Sequence, residues 1–224
     1  MPISARPLLL ILTCCLASHA LAAAEWTTVS YADGKDVSVI IHPSTQRKAS
    51  GILVVMGGAP SQRAEVDGAI QMQWRGAPRA GWHVIGIAVG EEPGIPQSGP
   101  PIVEGVLNTL QSTHNLSTKL PIVLAGISNG GHVALGTFAA NPERYHGTIA
   151  VPGMIGSRIG DVKGKRIALR VGANDSAGWR KGVEDAANAF RAAGAEVSFE
   201  VVPNQGHVPQ VDAMALLAWV AATP

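Results

Sequence analysis

The pentapeptide Gly126-Ile127-Ser128-Asn129-Gly130 sets one serine between glycines, where an apolar run from Leu120 to Ile127 gives way to a helical pattern. Glycines at those two offsets leave room for the serine to stand in a strained turn without striking the neighbouring strand. The turn would present it at a helix N-terminus, where the dipole favours developing negative charge. A residue so placed suits nucleophilic chemistry. A serine hydroxyl is nevertheless a weak nucleophile until a base takes its proton, and that base needs an acid to orient it. An ordinary N-cap serine in a glycine-rich turn would fit the same five residues, so the partners decide.

The chain has seven histidines. His19 falls in an N-terminal apolar segment, His42 and His83 at the entry ends of elements, and His114 and His146 after helices. His132, four residues into the helix after Ser128, reads as a helix-face residue pointing away from the turn. His207 differs, because "PNQGH" links the last apolar strand to the last helix and would carry the imidazole over the strand's carboxyl end. For the acid, Asp175 in "VGANDSAG" directly follows an apolar strand. Asp161 reads as a turn residue and Asp212 as a surface residue of the final helix. The order Ser128, Asp175, His207 puts three reactive groups at three strand ends, in the chain order expected of a strand–turn–helix nucleophile. Two backbone N–H donors are needed to hold a tetrahedral oxyanion. Asn129 is one candidate and Gly58 the other, with Ala59 next to it as the alternative, since Pro60 has no N–H.

Those strand ends must be assembled by an alternating pattern. "EWTTVSY" and "KDVSVIIHP" predict a hairpin around Asp33-Gly34. "GILVVMGG", "WHVIGIAV", "LPIVLAGI", "GTIAVPG", "RIALRVG" and "AEVSFEVVP" are apolar runs of strand length, suited to burial on both faces. Helical patterns lie between them, over 67–79, 102–114, 129–141, 179–194 and 209–220, and a Pro/Gly-rich loop covers 90–101. Together they predict a three-layer α/β/α sandwich around a mainly parallel, twisted sheet with an antiparallel hairpin at its edge. In such sheets functional groups gather above the carboxyl ends of the strands.

At 224 residues, 15% charged, with a net charge of +1, the chain has the composition of a compact domain and no electrostatic case for nucleic acid. Arg6, the apolar run Leu8–Ala17 and the small residues up to Ala24 match an export signal, cleaved near Ala23 or Glu25. Residues 1–24 are therefore expected to be a signal peptide and 25–224 a single domain, periplasmic or extracellular, with no stable membrane association. Cys14 and Cys15 are the chain's two cysteines and both leave with that segment, which removes disulfides and thiolate chemistry from the mature protein. No His/Asp/Glu cluster has metal-ligand spacing, and no cofactor is expected.

The Ser128 turn, "RAGWHVIGIAV", "RIALRVGANDSAG" and "VVPNQGH" resemble segments of the α/β-hydrolase superfamily, and the resemblance spans essentially the whole mature chain. Its outline is similar to small secreted carboxylesterases, acyl-thioesterases and feruloyl-esterase-like members. The resemblance implies Ser128 as nucleophile, His207 as general base and acid, and Asp175 as its orienter, with no cofactor. Many members carry a histidine ahead of the oxyanion glycines where this chain has Met56, a departure that bears on the oxyanion loop. No long insertion follows the strand ending near Val151, so no large lid is expected. Trp179, Met154 and Ile155 are either pocket wall or core. The substrate would be a small-molecule or polymer-borne ester of open identity. A serine peptidase or amidase, and a non-catalytic binding member of the fold, remain as rivals.

Overall fold

The computed structural model describes residues 24–91, 99–113, 116–117 and 119–222. The expected export segment, apart from Ala24, and the middle of the 90–101 loop lie outside these. Eight strands form one sheet: β1 (Trp26–Ala32), β2 (Lys35–His42), β3 (Gly51–Met56), β4 (Trp82–Ile87), β5 (Ile122–Gly126), β6 (Gly147–Ala150), β7 (Arg166–Gly172) and β8 (Glu196–Val202). Their spatial order is β1-β2-β4-β3-β5-β6-β7-β8. β1–β2 and β2–β4 pair antiparallel and the remaining neighbours pair parallel. The expected edge hairpin is present, with Gly34 at φ 69° in its turn.

Helices α1 (Arg63–Ala69), α2 (Gly99–Thr113), α3 (Asn129–Ala140), α4 (Ala177–Ala192) and α5 (Ala213–Ala221) cover the sheet. Side chains alternate across each strand, and β3 shows the result. Ile52, Val54 and Met56 pack in a core with α2, α3 and α4, while Leu53 and Val55 pack in a second core with α1 and α5. Both faces are covered, so β3 is buried along its whole length. Its uninterrupted apolar run is the sequence expression of that double burial.

Helix boundaries depart from the periodic pattern where capping chemistry intervenes. The first helix begins at Arg63 rather than Asp67, because the Glu65 carboxylate accepts the Gln62 N–H at 3.0 Å. It runs through a π turn, Ile70–Trp74, and stops before Gly76 and Pro78 instead of reaching Arg79. α2 starts at Gly99, three residues early, since prolines at 100 and 101 are tolerated in a first turn that leaves N–H groups unbonded. The final helix starts late. Asp212 is its N-cap, accepting the Ala215 N–H at 2.9 Å, exposed as expected but placed ahead of the helix and not within it. The chain from His207 to Asp212 is thereby free to cross the sheet edge. Asp161 accepts the Lys163 N–H at 3.1 Å, a turn residue as expected. No helix among the described residues is long and apolar enough to cross a membrane.

Candidate active site

β3, β5, β6, β7 and β8 run parallel, so the segments leaving their carboxyl ends meet at one edge of the sheet. Ser128 leaves β5 at φ 54° and ψ −116°, a conformation rarely adopted by residues with a side chain. The flanking glycines are required by contact. A Cβ on Gly126 would lie 2.1 Å from the Gly130 carbonyl oxygen, and one on Gly130 would lie 2.3 Å from that of Met56. The Ile127 N–H donates to the same Met56 oxygen at 3.2 Å, locking this turn to the one after β3.

The three residues chosen from the sequence form one hydrogen-bonded chain. His207 Nε2 lies 2.9 Å from Ser128 Oγ, and His207 Nδ1 lies 2.8 Å from Asp175 Oδ2. The Asp175 side chain is 5% exposed and that of His207 37%, a gradient that keeps the acid dry and leaves the base open to a substrate. The other Asp175 oxygen, Oδ1, accepts the Ser176 N–H at 2.6 Å. Arg180 braces the same turn by donating to the carbonyls of Asp175 and Ala173. The acid and base segments are also joined through backbone: the Ala173 N–H donates to Val202 O at 2.9 Å and the Asn174 N–H to Gln205 O at 2.8 Å. Beyond His207, buried Gln73 donates to Pro209 O at 3.0 Å and anchors the exit of that segment.

Gly58 and Asn129 flank Ser128. A Cβ on Gly58 would sit 3.6 Å from Ser128 Cβ, an ordinary contact, so the turn after β3 lies directly against the serine. Asn129 is the first residue of α3, where helical geometry supplies no acceptor for its N–H. Met56, the departure from the family pattern, is fully buried in the core. The turn is instead held by Ser61, which sequence reasoning missed. Ser61 is fully buried at φ 62°, and its hydroxyl lies 2.9 Å from Gly57 O and 2.8 Å from Gly58 O. The only trace in the sequence is a small polar residue just after Pro60.

His132 is also closer to the site than its helical offset implied. Its ring stacks on Trp179 with centroids 5.0 Å apart, and Trp179 meets the His207 ring edge-on at 4.4 Å. His132 Nδ1 lies 2.8 Å from both N and O of Met154, so either tautomer finds a backbone partner. Burial holds the His132 imidazole below the usual histidine range, and a positive charge on His207 would push it the same way. His132 therefore supports the site from behind Trp179 and is not within the Ser128–His207–Asp175 chain. Trp179 proves to be wall to the His207 ring, while Met154 and Ile155 are half-buried, packed on the core and bordering an open cleft. Among the described residues, no group of three or more His, Cys, Asp or Glu side chains is arranged to hold a metal ion.

No protein-family model matches this sequence, and no curated protein sequence does. Solved structures do match in three dimensions. Esterase PE8 superposes with a TM-score of 0.67 over 82% of this chain and 99% of its own, at 18% identity. A highly thermostable carboxyl esterase from Bacillus coagulans, solved with glycerol, gives 0.65 over 90% of this chain and 100% of its own, at 12% identity. An acylaminoacyl peptidase from Pyrococcus horikoshii gives 0.60 over 82% of this chain and 37% of its own, at 10% identity. At such identities the likeness is one of architecture, and it agrees with the strand order, the parallel sheet and the serine turn: the chain has the fold of the α/β-hydrolase superfamily.

Proposed function

We propose that this protein is a serine hydrolase that cleaves carboxylic esters by two-step acyl transfer. The observation that carries the reading is the continuous hydrogen-bonded chain from Ser128 through His207 to buried Asp175, at 2.9 and 2.8 Å. In the first step Ser128 Oγ attacks the ester carbonyl while His207 Nε2 takes its proton. Asp175 holds the imidazole in the tautomer that leaves Nε2 free to accept, and offsets the charge of the imidazolium. The N–H groups of Asn129 and Gly58 receive the oxyanion. His207 then returns the proton to the departing alcohol, leaving Ser128 acylated. Water repeats the sequence, deprotonated by His207, and releases the acid. Every atom in this scheme comes from the chain, the ester and water.

The two esterases of similar fold match this chain over nearly their whole length, whereas the match covers 37% of the acylaminoacyl peptidase, which supports an ester over an amide. Export belongs to the same reading: with residues 1–24 removed, the enzyme would meet esters in the periplasm or outside the cell.

The test is a fluorophosphonate probe together with p-nitrophenyl ester and matched anilide substrates, on wild type and Ser128→Ala. We expect stoichiometric labelling and ester turnover in wild type, both lost in the variant. Turnover of the anilide without the ester would instead identify an amidase. A folded wild type that neither labels nor turns over would leave a binding protein.

A further inference from the structure

Beside the triad, an open cleft of about 760 Å³ runs along α3, within the range of small-molecule sites. One wall is a single face of α3: His132, Gly136 and Ala140, spaced four residues apart. The other walls are Pro100 in the first turn of α2 and Met154, Ile155 and neighbours after β6. Among the described residues, no acidic side chain and no lysine or arginine lines it. Its near end approaches the Ser128 centre through His132. The His132 ring stacks on the Trp179 that abuts His207.

Gly136 stands out among the glycines of this helix. Gly130 and Gly131 are demanded by packing, since a Cβ on either would lie 2.3 or 2.2 Å from a backbone carbonyl oxygen. At Gly136 a Cβ would meet nothing within 4 Å. A mid-helix glycine costs about 1 kcal/mol relative to alanine, and here no contact among the described residues accounts for it. What the glycine does leave is an open floor halfway along the cleft.

We propose that this cleft is the acyl-chain subsite of the Ser128 centre, with Gly136 setting its depth, and that the substrates are esters of apolar acids about eight to twelve carbons long. This inference rests on the hydrolase reading above. The length follows from the helix. At about 1.5 Å per residue, Gly136 lies about 12 Å along the axis from Ser128 and Ala140 about 18 Å. An extended chain advances about 1.2 Å per bond. An acetyl or butyryl group would end near His132, whereas an octanoyl or decanoyl group would reach Gly136.

The experiment compares p-nitrophenyl acetate, butyrate, octanoate and decanoate on the full chain as processed by the expressing cell, in wild type, Gly136→Ala and Gly136→Leu. Each methylene that enters the cleft is expected to raise kcat/KM about fourfold. Octanoate should therefore exceed acetate by at least about tenfold in wild type. Gly136→Leu should erase that gain, chiefly through KM, and leave acetate within about twofold. Leucine and alanine are both better helix formers than glycine, so a variant melting at or above the wild-type temperature shows that folding is not the cause. A wild type that prefers acetate, or an octanoate-to-acetate ratio unmoved by Gly136→Leu, overturns the proposal while leaving the serine mechanism standing. Should no ester be turned over, binding of decanoate to the Ser128→Ala protein decides. Saturable binding lost on adding Gly136→Leu sustains the cleft, and equal or absent binding removes it.

Discussion

Ser128 is held at φ 54°, and a non-glycine residue in such a region costs about 1–3 kcal/mol. The surroundings bear that cost because the turn is over-determined, by glycines that fit only as glycines and by the bond from the Ile127 N–H to Met56 O. Asp175 is constrained in a different way. Its two carboxylate oxygens have separate tasks, one accepting from the Ser176 N–H and the other facing His207 Nδ1. Asp175→Asn keeps the shape but replaces one acceptor with a donor. Either the Ser176 N–H then faces an amide NH₂, or His207 is driven to the tautomer that cannot accept from Ser128. We expect kcat to fall on the order of 10³–10⁴-fold with little change in KM. Steady-state kinetics within tenfold of wild type would remove Asp175 as the orienter.

At the scale of elements, the site is built where α3 is pressed against the ends of β3 and β5. Gly130 allows that approach, and a methyl there would lie 2.3 Å from Met56 O and 2.4 Å from Gly57 O. Gly130→Ala should therefore force the turn after β3 and the serine turn apart. The expected destabilisation is about 1–3 kcal/mol, accompanied by a loss of turnover larger than the loss of fold. Gly136→Ala, six residues along the same helix, should act in the opposite direction and raise the melting temperature. Thermal melts of the two variants side by side make the comparison, and similar shifts in both would mean that helix propensity and not close packing governs the position. The late start of α5 belongs to this scale too. Capping by Asp212 shortens the helix, and the residues so released form the segment that carries His207 from β8 across the sheet edge.

For the molecule as a whole, stability rests on two apolar cores separated by the sheet, and several imidazoles lie at their margins. Burial holds His42, His83, His132 and His146 each below the ordinary histidine value of 6.5. In the unfolded chain these groups take up protons as pH falls through about 6.5, while in the folded chain they resist until lower pH. The unfolded state thus binds more protons in that window, so stability rises with pH there and is lost on acidification. The melting temperature should be lower at about pH 5.5 than at about pH 8 in the same salt. Calorimetric scans check this, and an equal or higher value at the acid end would show that other groups dominate the linkage.

The sequence by itself determined what depends on local chemistry and chain order. Apolar runs of strand length separated by helical patterns specify a doubly covered parallel sheet, because a strand buried on both faces has no polar positions to alternate. A serine in a glycine-flanked strand-to-helix turn, followed by Asp175 and His207 at later strand ends, specifies the edge where the three side chains meet, because parallel strands bring all their carboxyl ends to one side. Helix boundaries were less legible, since a side-chain cap such as that of Glu65 or Asp212 outweighs apolar periodicity. What only the tertiary structure decided is how separate elements meet. Helical spacing puts His132, Gly136 and Ala140 on one face of α3, but whether that face is buried, exposed or grooved depends on where Met154, Ile155 and Trp179 come to rest. His132 likewise acquires its role from Met154 and Trp179, far away in the chain, and contacts between such residues are set by how separate elements pack, which no local pattern encodes.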